Sequence, residues 1–351
     1  MKSALAERPP SKAPAVPRVE KPRRSYTRGE YVEGILSGDR GMLARAITLV
    51  ESARPADREL AGLILEDCLP HSGNSLRVGV TGVPGGGKST LIESLGRYLV
   101  EERRQKVAVL AVDPTSQISG GSILGDKTRM TVLAASESAF IRPSPTRGSH
   151  GGVAHCTREA MLLCEAAGYG NLLVETVGVG QTETAVRGIV DFFLLVTLAG
   201  AGDELQGMKR GVMELADAVV VNKADGANLK AAEKARSEIE NALHLFPLAQ
   251  SGWAPRALTC SAISGASVPE LWSVIEEHAL LTGGNGWRDA QRTEQQRQWM
   301  RQLIEQGLRR HFESNPQVRE RMKVLEREVT EGKTTSYRAA QSLLDAYLNK
   351  R

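Results

Sequence analysis

The sequence predicts an α/β protein in which a mostly parallel sheet is flanked by helices. Six short apolar runs follow one another between Arg77 and Ile275, and most are continuous rather than alternating, as expected of strands covered on both faces. Helix-like segments separate several of the runs, which is typical of βαβ crossovers. The runs, in chain order, are RVGVTG, VAVLAV, LLVETV, FFLLVTL, AVVVNK and RALTCSA.

The residues before the first strand are of two kinds. Residues 1–26 are rich in Pro, Lys and Arg and contain few large apolar side chains, so we expect a disordered basic tail. This tail lacks the apolar centre and the cleavage site of a secretory signal. Residues 27–74 are predicted to be helical, because Thr27 and Glu30 have the spacing of a capping box and Asp39 precedes a second amphipathic segment.

The α/β pattern spans residues 75–285, and a different pattern follows it over residues 286–351. There, charged helices each carry one apolar stripe, and they are joined near Asn315–Pro316 and near Gly332. Such helices pack either on their own domain or on another subunit. The three stripes are Trp299, Leu303, Leu308 and Phe312; Val318, Met322, Leu325 and Val329; and Leu343, Leu344, Tyr347 and Leu348.

Composition excludes several classes of protein. The chain of 351 residues has a formal net charge of +4 and four cysteines that form no CxxC pair. This argues against a disulfide framework or a zinc module and for a reducing compartment. No stretch approaches the roughly 18 to 20 apolar residues of a membrane span. We therefore expect a cytoplasmic protein with no membrane or nucleic-acid partner, although a basic tail is also compatible with contacts to either.

The stretch VGVTGVPGGGKSTL, residues 78–91, places a glycine-rich loop between a predicted strand and a predicted helix. It satisfies the G-x-x-x-x-G-K-[ST] pattern of a P-loop in the context that this motif requires. Glycines let the backbone aim successive N–H groups at a phosphate, and the following helix adds its positive end. We expect Lys88 to neutralise β- and γ-phosphate oxygens and Ser89 to coordinate Mg²⁺. The predicted phosphate-binding residues are Gly82, Gly85, Gly86, Gly87, Lys88, Ser89 and Thr90.

The stretch VVVNKADG predicts which base the site takes. The carboxylate of Asp225 can accept hydrogen bonds from N1–H and the 2-amino group of guanine, a donor pair that adenine lacks. Asn222 would brace the loop, and the stem of Lys223 would cover the ring face. After the last predicted strand, the backbone of Ser261 and Ala262 can meet guanine O6. The pattern therefore predicts GTP or GDP rather than ATP.

Carboxylates at predicted strand ends are candidates for the metal site. Asp113 ends one strand, Asp126 lies in the stretch GDKTRM, and Glu175 ends the strand LLVET. Glu175 and Gly178 have the spacing of the D-x-x-G motif of common GTPases, with a longer acid, and Gln181 follows closely. Each carboxylate alone can be an ordinary strand-end acid, but a set of oxygen ligands suits a hard cation. The predicted metal ligands are Ser89, Asp113, Asp126 and Glu175.

Six longer blocks of the sequence stand out: GVPGGGKST, VLAVDPTSQISGGSILGDKTRM, FIRPSPTRGSHGG, LLVETVGVGQTE, AGAGDELQGMKRG and VVNKADG. From about Thr27 to the C-terminus, the chain resembles the MeaB/ArgK family of SIMIBI-class P-loop GTPases. The resemblance implies a P-loop GTPase domain over residues 75–285 and a C-terminal helical dimerisation arm over residues 286–351. One departure from the family pattern is Gly86, where members often carry valine, so the loop should be slightly looser.

The resemblance also implies a function and a partner. Members are homodimers that act as chaperones of adenosylcobalamin-dependent acyl-CoA mutases, chiefly methylmalonyl-CoA mutase. GTP hydrolysis is coupled to loading intact cofactor and removing damaged cofactor, and adenosylcobalamin is expected on the mutase rather than on this chain. We expect slow intrinsic hydrolysis that the partner accelerates, with Lys88, Glu175 and Gln181 as catalytic residues.

The segment GAGDELQGMKRG matches the third switch of the family, which answers to the partner mutase. Its glycine-bracketed, polar composition agrees with a mobile loop, although an ordinary solvated loop has the same composition. The predicted partner-responsive residues are Asp203, Glu204, Gln206 and Lys209.

Three other functions are weighed against this one. A transport-linked protein kinase of the ArgK type would use ATP, which the NKAD motif disfavours. A nickel-insertion GTPase would need soft or imidazole ligands, and the six histidines are dispersed, although His150 and His155 lie near Cys156. A binding module could use GTP only as a structural ligand. The sequence leaves open whether the partner is a methylmalonyl-, isobutyryl- or ethylmalonyl-CoA mutase.

Overall fold

The computed structural model describes residues 26–113, 130–145, 153–176, 182–200 and 210–348. In these parts of the chain, seven parallel strands form one sheet in the spatial order 3-2-4-1-5-6-7. The first strand lies in the middle of the sheet, so the loop that follows it emerges at the centre of the carboxyl edge. The strands are β1 (Leu76–Gly82), β2 (Val107–Asp113), β3 (Ala139–Pro145), β4 (Asn171–Thr176), β5 (Phe192–Leu198), β6 (Ala218–Asn222) and β7 (Arg256–Thr259).

Helices cover both faces of this sheet, which confirms the predicted α/β class with a parallel sheet flanked by helices. The helix residues Leu91 and Leu271 belong to one buried cluster with strand residue Val78, and the helix residue Ile35 belongs to a second with Leu172 on the opposite face. The helices are α1 (Arg28–Leu36), α2 (Arg40–Val50), α3 (Pro55–Cys68), α4 (Lys88–Arg97), α5 (Thr131–Ala135), α6 (Val153–Ala166), α7 (Thr182–Arg187), α8 (Arg210–Glu214), α9 (Leu229–Leu243), α10 (Val268–Gly284), α11 (Trp287–Ser314), α12 (Pro316–Thr330) and α13 (Ser336–Tyr347).

Two side-chain caps start the first helices, and both were predicted from the sequence. The Thr27 hydroxyl accepts from the backbone N–H of Glu30, and the Glu30 carboxylate accepts from the backbone N–H of Thr27 at 2.8 Å. The Asp39 carboxylate accepts from the N–H groups of Gly41 and Met42 at the start of α2. Each cap satisfies donors that the first turn of a helix leaves without an intrahelical partner.

Strand β3 is missing from the six predicted runs, so the sequence interpretation was wrong at this edge of the sheet. It pairs in parallel with β2, from Val107 opposite Ala139 to Asp113 opposite Pro145. Its apolar run is only three residues long, and Pro143 and Pro145 follow it. A strand at the edge tolerates proline because no further strand requires the missing N–H.

The C-terminal helices join where the sequence predicted, near Asn315–Pro316 and near Gly332. Gly286 has a φ of 76° just before α11, and the side chain of Asn315 caps α12 by accepting from the N–H of Gln317. Gly332 follows α12 with a φ of 71°. The domain boundaries at 26/27, 74/75 and 285/286 stay predictions. No helix within the described ranges is long and apolar enough to cross a bilayer.

The first half of α11 is attached to the amino edge of the sheet. The guanidinium of Arg292 donates to both carboxylate oxygens of Asp191, at 2.7 and 2.6 Å, and to the backbone oxygen of Ser75 at 2.6 Å. The Gln295 side chain donates to the backbone oxygen of Val190 at 3.0 Å. Because these contacts lie at the amino ends of the strands, they leave the carboxyl edge clear for the candidate site.

Candidate nucleotide-binding site

The loop between β1 and α4 has the backbone that a phosphate cradle needs. Gly82, Gly85 and Gly87 have φ values of 145°, 73° and 84°, which side chains rarely allow. A Cβ at Gly82 would lie 1.9 Å from the backbone oxygen of Val196, so β1 approaches β5 too closely for any other residue. Gly86 has no such positive φ, and a Cβ there would contact Val83 at 3.0 to 3.1 Å.

The amino end of α4 lies at the end of this loop. No side chain caps it, and Gly87 precedes Lys88, Ser89 and Thr90 as its first residues. The uncapped N–H groups and the helix dipole therefore favour an anion at this point. The hydrophobic residues of α4 pack under the sheet, which keeps this end of the helix at the carboxyl edge of β1.

Lys88 lies over its own loop. Its ammonium donates to the backbone oxygens of Gly82 and Val83, both at 3.0 Å, and the residue is 8% exposed. These contacts hold a positive charge inside the loop. A bound polyphosphate would offer the ammonium stronger, charged acceptors at the same place.

Ser89 and Glu175 come from different elements and meet at the site. The Ser89 hydroxyl donates to a carboxylate oxygen of Glu175 at 2.6 Å, and Glu175 is buried at 7% exposure. The described residues contain no cluster of three or more His, Cys, Asp or Glu side chains suited to a metal ion. A hydroxyl and one carboxylate nevertheless fit Mg²⁺ at a nucleotide, because Mg²⁺ keeps several waters and takes further oxygens from the phosphates.

Of the other predicted metal and switch residues, the structure describes only the backbone of Asp113. Asp113 is the last residue of β2, next to the end of β4, where Val112 lies opposite Thr176. This puts the Asp113 backbone at the same edge of the sheet as Glu175. Seven further predicted residues lie outside the described ranges: Asp126, Gly178, Gln181, Asp203, Glu204, Gln206 and Lys209.

Asn222 connects the phosphate loop to the loop after β7. Its amide nitrogen donates to the Gly86 oxygen at 2.8 Å, and its amide oxygen accepts from the Ala262 N–H at 3.1 Å. The residue is almost fully buried at the end of β6. The predicted phosphate loop and the predicted guanine loops are therefore held next to each other.

Asp225, the predicted guanine acceptor, is exposed and held by Ser261. The Ser261 hydroxyl donates to one carboxylate oxygen of Asp225 and accepts from the N–H of Ser264 at 3.3 Å. Ser261 itself is fully buried. Sequence reasoning gave Ser261 only a backbone role toward guanine O6, and it missed this side-chain contact, for which its position two residues after the strand was the only signal.

Asn228 also supports this turn and was not among the predicted site residues. Its amide donates to the backbone oxygen of Lys223 at 2.7 Å, and the Ala224 N–H donates to the Cys260 oxygen at 3.0 Å. Lys223 has a φ of 60°, an uncommon conformation for a residue with a side chain. These bonds hold the turn that carries Lys223 and Asp225 in one shape before any base arrives.

The cysteines offer no soft metal site among the described side chains. Burial raises the pKa of the Cys156 thiol to about 12, and its sulfur lies 3.8 Å from the Val50 oxygen. A thiol with a raised pKa is a poor metal ligand at neutral pH because the thiolate is the binding form. His150 lies outside the described ranges, and only the backbone of His155 is described, as part of α6.

Comparisons with known proteins show what the chain is similar to. A family model for the methylmalonyl-CoA mutase-associated GTPase MeaB matches residues 43–317. A protein named as a probable GTPase in Mycobacterium tuberculosis is 53% identical over 311 residues, which cover 89% of this chain and 92% of that protein. GTPase ArgK of Escherichia coli is 47% identical over 289 residues, covering 82% and 87% of the two chains.

A mouse protein and a solved structure extend the comparison. The mouse mitochondrial methylmalonic aciduria type A homolog is 44% identical over 329 residues, covering 90% of this chain and 79% of that protein. The crystal structure of an LAO/AO transport system kinase superposes with a TM-score of 0.72 at 37% identity, over 92% of this chain and 97% of that one. Since the family model spans most of the chain and several relatives match it nearly end to end, the chain belongs to the MeaB family of methylmalonyl-CoA mutase-associated GTPases.

Proposed function

We propose that this chain binds and hydrolyses GTP with Mg²⁺ and uses its nucleotide state to assist an adenosylcobalamin-dependent acyl-CoA mutase, methylmalonyl-CoA mutase first. Membership in a mutase-associated GTPase family supports the partner. The observation that carries the nucleotide part is the double hydrogen bond of Asn222, which joins the predicted phosphate loop to the loop after β7 that is predicted to meet the base. Binding of a guanine nucleotide would bridge the same two parts.

The proposed roles in GTP hydrolysis follow from the negative charge on the phosphate oxygens. Lys88 and the amino end of α4 would neutralise the β- and γ-phosphate oxygens, while Ser89 and Glu175 would hold the metal ion, with Asp113 and Asp126 as further candidates. Mg²⁺, when bound, would withdraw charge from the phosphate oxygens. We assign Gln181 to orienting the attacking water and Gly178 to sensing the γ-phosphate.

The base would be read by three parts of the chain. Asp225, held by the Ser261 hydroxyl, would accept both guanine donors, and the stem of Lys223 would cover one ring face. The N–H of Ala262 donates to the Asn222 side chain and the N–H of Ser261 donates to the Ala266 oxygen, so a contact with guanine O6 would require one of these donors to turn to the base. ATP would leave the Asp225 carboxylate without its donors, and this sets the preference.

The partner would be engaged outside this pocket. We assign Asp203, Glu204, Gln206 and Lys209 to the partner-responsive switch, and the helices α11–α13 to a homodimerisation arm. The large side chains of Met300, Ile304 and Leu308 support the arm, because they recur at one-turn spacing on α11 and are all more than half exposed. Adenosylcobalamin would be bound by the mutase and not by this chain.

The compartment is inferred from the cysteines. Cys68, Cys164 and Cys260 are free thiols, and burial raises the pKa of each one above its ordinary value. Free, unpaired cysteines suit a reducing compartment. We therefore propose a cytoplasmic protein.

Hydrolysis measured with and without a mutase tests this function. We expect slow turnover of GTP alone, acceleration by the cognate mutase, and loss of nucleotide binding or turnover in Lys88→Ala. Hydrolysis that no adenosylcobalamin-dependent mutase changes would contradict the chaperone role. Absence of turnover even with the partner would instead favour a module that uses GTP as a structural ligand.

A second function is favoured by the name of one structural neighbour. The LAO/AO transport system kinase is similar to this chain over nearly its whole length, which keeps a transport-linked protein kinase as the alternative. The two functions differ in nucleotide and product. Transfer of phosphate from ATP to a protein would support the kinase, whereas release of free phosphate from GTP supports the first proposal.

A further inference from the structure

Two threonines are joined directly behind the candidate site. The Thr176 hydroxyl donates to the Thr81 hydroxyl at 2.8 Å, and neither side chain has any exposed surface. Thr81 immediately precedes Gly82, the first residue of the phosphate loop, and Thr176 immediately follows Glu175. The bond therefore connects the strand that carries the loop to the strand that carries the proposed metal-binding carboxylate.

The bond lies where the backbone pairing of these strands stops. The register of β1 with β4 ends at Val80 opposite Glu175, whereas β2 continues alongside β4 as far as Thr176. Beyond this point β1 follows β5, with Gly82 opposite Val196. The two hydroxyls thus hold β1 and β4 together one residue after their ladder has ended.

The pair and the carboxylate lie on opposite faces of β4. Side chains alternate along a strand, so Thr176 and Glu175 point to opposite sides, and Glu175 meets Ser89 of α4 at 2.6 Å. Thr81 shares its face with Gly79, where a Cβ would lie 2.9 Å from a methyl carbon of Val186 in α7. Any rotation of the end of β4 about its axis would move both side chains together.

We propose that Thr81 and Thr176 form a positioning pair, whose mutual hydrogen bond sets the orientation of the end of β4 and so holds the Glu175 carboxylate in place for Ser89 and a nucleotide-bound Mg²⁺. The inference rests on the proposed function, since it concerns the metal of that site. Packing alone does not explain why both residues carry a hydroxyl group. Valine has nearly the same shape as threonine and would fill the same space without needing a hydrogen bond. Groups that orient a metal ligand without touching the metal typically change metal affinity by roughly 10- to 100-fold when removed.

The test replaces both threonines at once. Thr81→Val/Thr176→Val removes the bond without leaving a single buried hydroxyl unpaired, which is close to neutral for stability. Calorimetric titration with GDP, at a series of Mg²⁺ concentrations and in EDTA, measures the metal dependence directly. We expect the Mg²⁺ concentration for half-maximal tightening of GDP binding to rise roughly tenfold. The affinity for GDP in EDTA and the urea midpoint of unfolding should stay close to those of the wild type.

Two matched variants separate positioning from folding. The single variant Thr176→Ser keeps a hydroxyl group and should show the wild-type Mg²⁺ response. Thr197→Val removes another fully buried hydroxyl, from β5, for which no partner exists among the described residues, and it should leave that response unchanged. A double variant with the wild-type Mg²⁺ response overturns the inference, and so does an equal loss of affinity with and without Mg²⁺. If the wild type itself shows no Mg²⁺-dependent GDP binding, the proposed function is contradicted, and the inference, which depends on it, is contradicted as well.

Discussion

The amide nitrogen of Asn222 donates to the backbone oxygen of Gly86 across 2.8 Å, so the first residue of the NKAD motif holds the phosphate loop. The contact is tight, because a Cβ at Gly87 would lie 2.5 Å from the same nitrogen. The other end of the amide binds the N–H of Ala262. One buried side chain therefore sets the distance between the loop proposed for the phosphates and the loop proposed for the base.

Replacing Asn222 should separate these two places. Asn222→Ala leaves the Gly86 oxygen and the Ala262 N–H without their partners, and we expect GDP affinity to fall by roughly 10- to 100-fold. Calorimetry with GDP and Mg²⁺ measures the loss. Asn228→Ala is the matched control, because Asn228 supports only the turn at Lys223 and its loss should cost less. Equal losses in the two variants would contradict the connecting role of Asn222.

Replacing Asp225 should change which base is bound. In Asp225→Asn, the amide oxygen can still accept from N1–H, but the amide nitrogen needs an acceptor at C2, which xanthine provides and guanine does not. We expect GDP affinity to fall by roughly 100-fold and the affinity for xanthosine diphosphate to rise above it. Competition binding of the two nucleotides to the same protein checks this.

Ser261→Ala is the companion test of how Asp225 is held. The variant removes the hydroxyl that binds the Asp225 carboxylate. Both carboxylate oxygens, which would accept hydrogen bonds from guanine, stay in place. We expect a loss of about 3- to 10-fold in GDP affinity, with guanine still preferred over xanthine. A change of base preference in this variant would show that Ser261 reads the base itself.

The sequence indicated the central strands and the loops that follow them better than the β3 edge of the sheet, and the reason is local. Three features each lie within one short stretch of the chain: the glycine loop, the strand-end acid Glu175 and the NKAD turn. A short sequence pattern is therefore enough to detect each of them. The continuous apolar runs identified the strands covered on both faces. Strand β3 has one exposed edge and two prolines, and a short pattern of that kind is also typical of a loop.

Contacts between distant segments could not be predicted in the same way. The bond of Ser261 to Asp225, the pair Thr81–Thr176 and the attachment of Arg292 to Asp191 each join residues that are far apart in the sequence. Ser and Thr side chains have many local partners available, so their types alone do not indicate a long-range bond.

Two glycines of the phosphate loop should respond very differently to alanine. In Gly82→Ala the new Cβ would overlap the backbone oxygen of Val196, which cannot move without disturbing β5, and we expect a loss of at least about 3 kcal/mol in unfolding free energy. In Gly86→Ala the Cβ would meet Val83 at 3.0 to 3.1 Å with no positive φ, and we expect a change within about 1 kcal/mol.

Urea unfolding of both variants without nucleotide measures these losses, because it excludes effects on phosphate binding. A Gly82→Ala protein as stable as Gly86→Ala would show that β1 and β5 do not approach each other closely at this point.

The helix α6 carries two acids whose titrations should act on stability in opposite directions. Burial raises the pKa of Glu159 to about 7 from an ordinary 4.5, although the Trp299 indole donates to one oxygen at 3.2 Å and Arg158 lies nearby. Burial opposes ionisation of Glu165 as well, but there the hydrogen bonds and charge of Arg77 prevail and lower its pKa.

The sign for Glu159 follows from which state binds the proton more tightly. Between about pH 4.5 and 7 the folded protein keeps a proton on Glu159 that the unfolded chain releases, so its contribution to stability is lost as pH rises, at up to about 1.4 kcal/mol per pH unit. Glu159→Gln retains an acceptor for Trp299 but does not titrate. We therefore expect this variant to gain stability relative to the wild type between about pH 5 and pH 7.5, as measured by urea midpoints.

Glu165→Gln provides the matched control on the same helix. The folded protein holds the Glu165 proton more weakly than the unfolded chain does, so this carboxylate contributes stability above its ordinary pKa and loses it as pH falls. The variant should therefore be less stable than the wild type near neutral pH, and the difference should shrink in acid. If Glu159→Gln instead follows the pattern of Glu165→Gln, the Glu159 carboxylate is ionised in the folded protein, and its contact with Trp299 on α11 is a charged one.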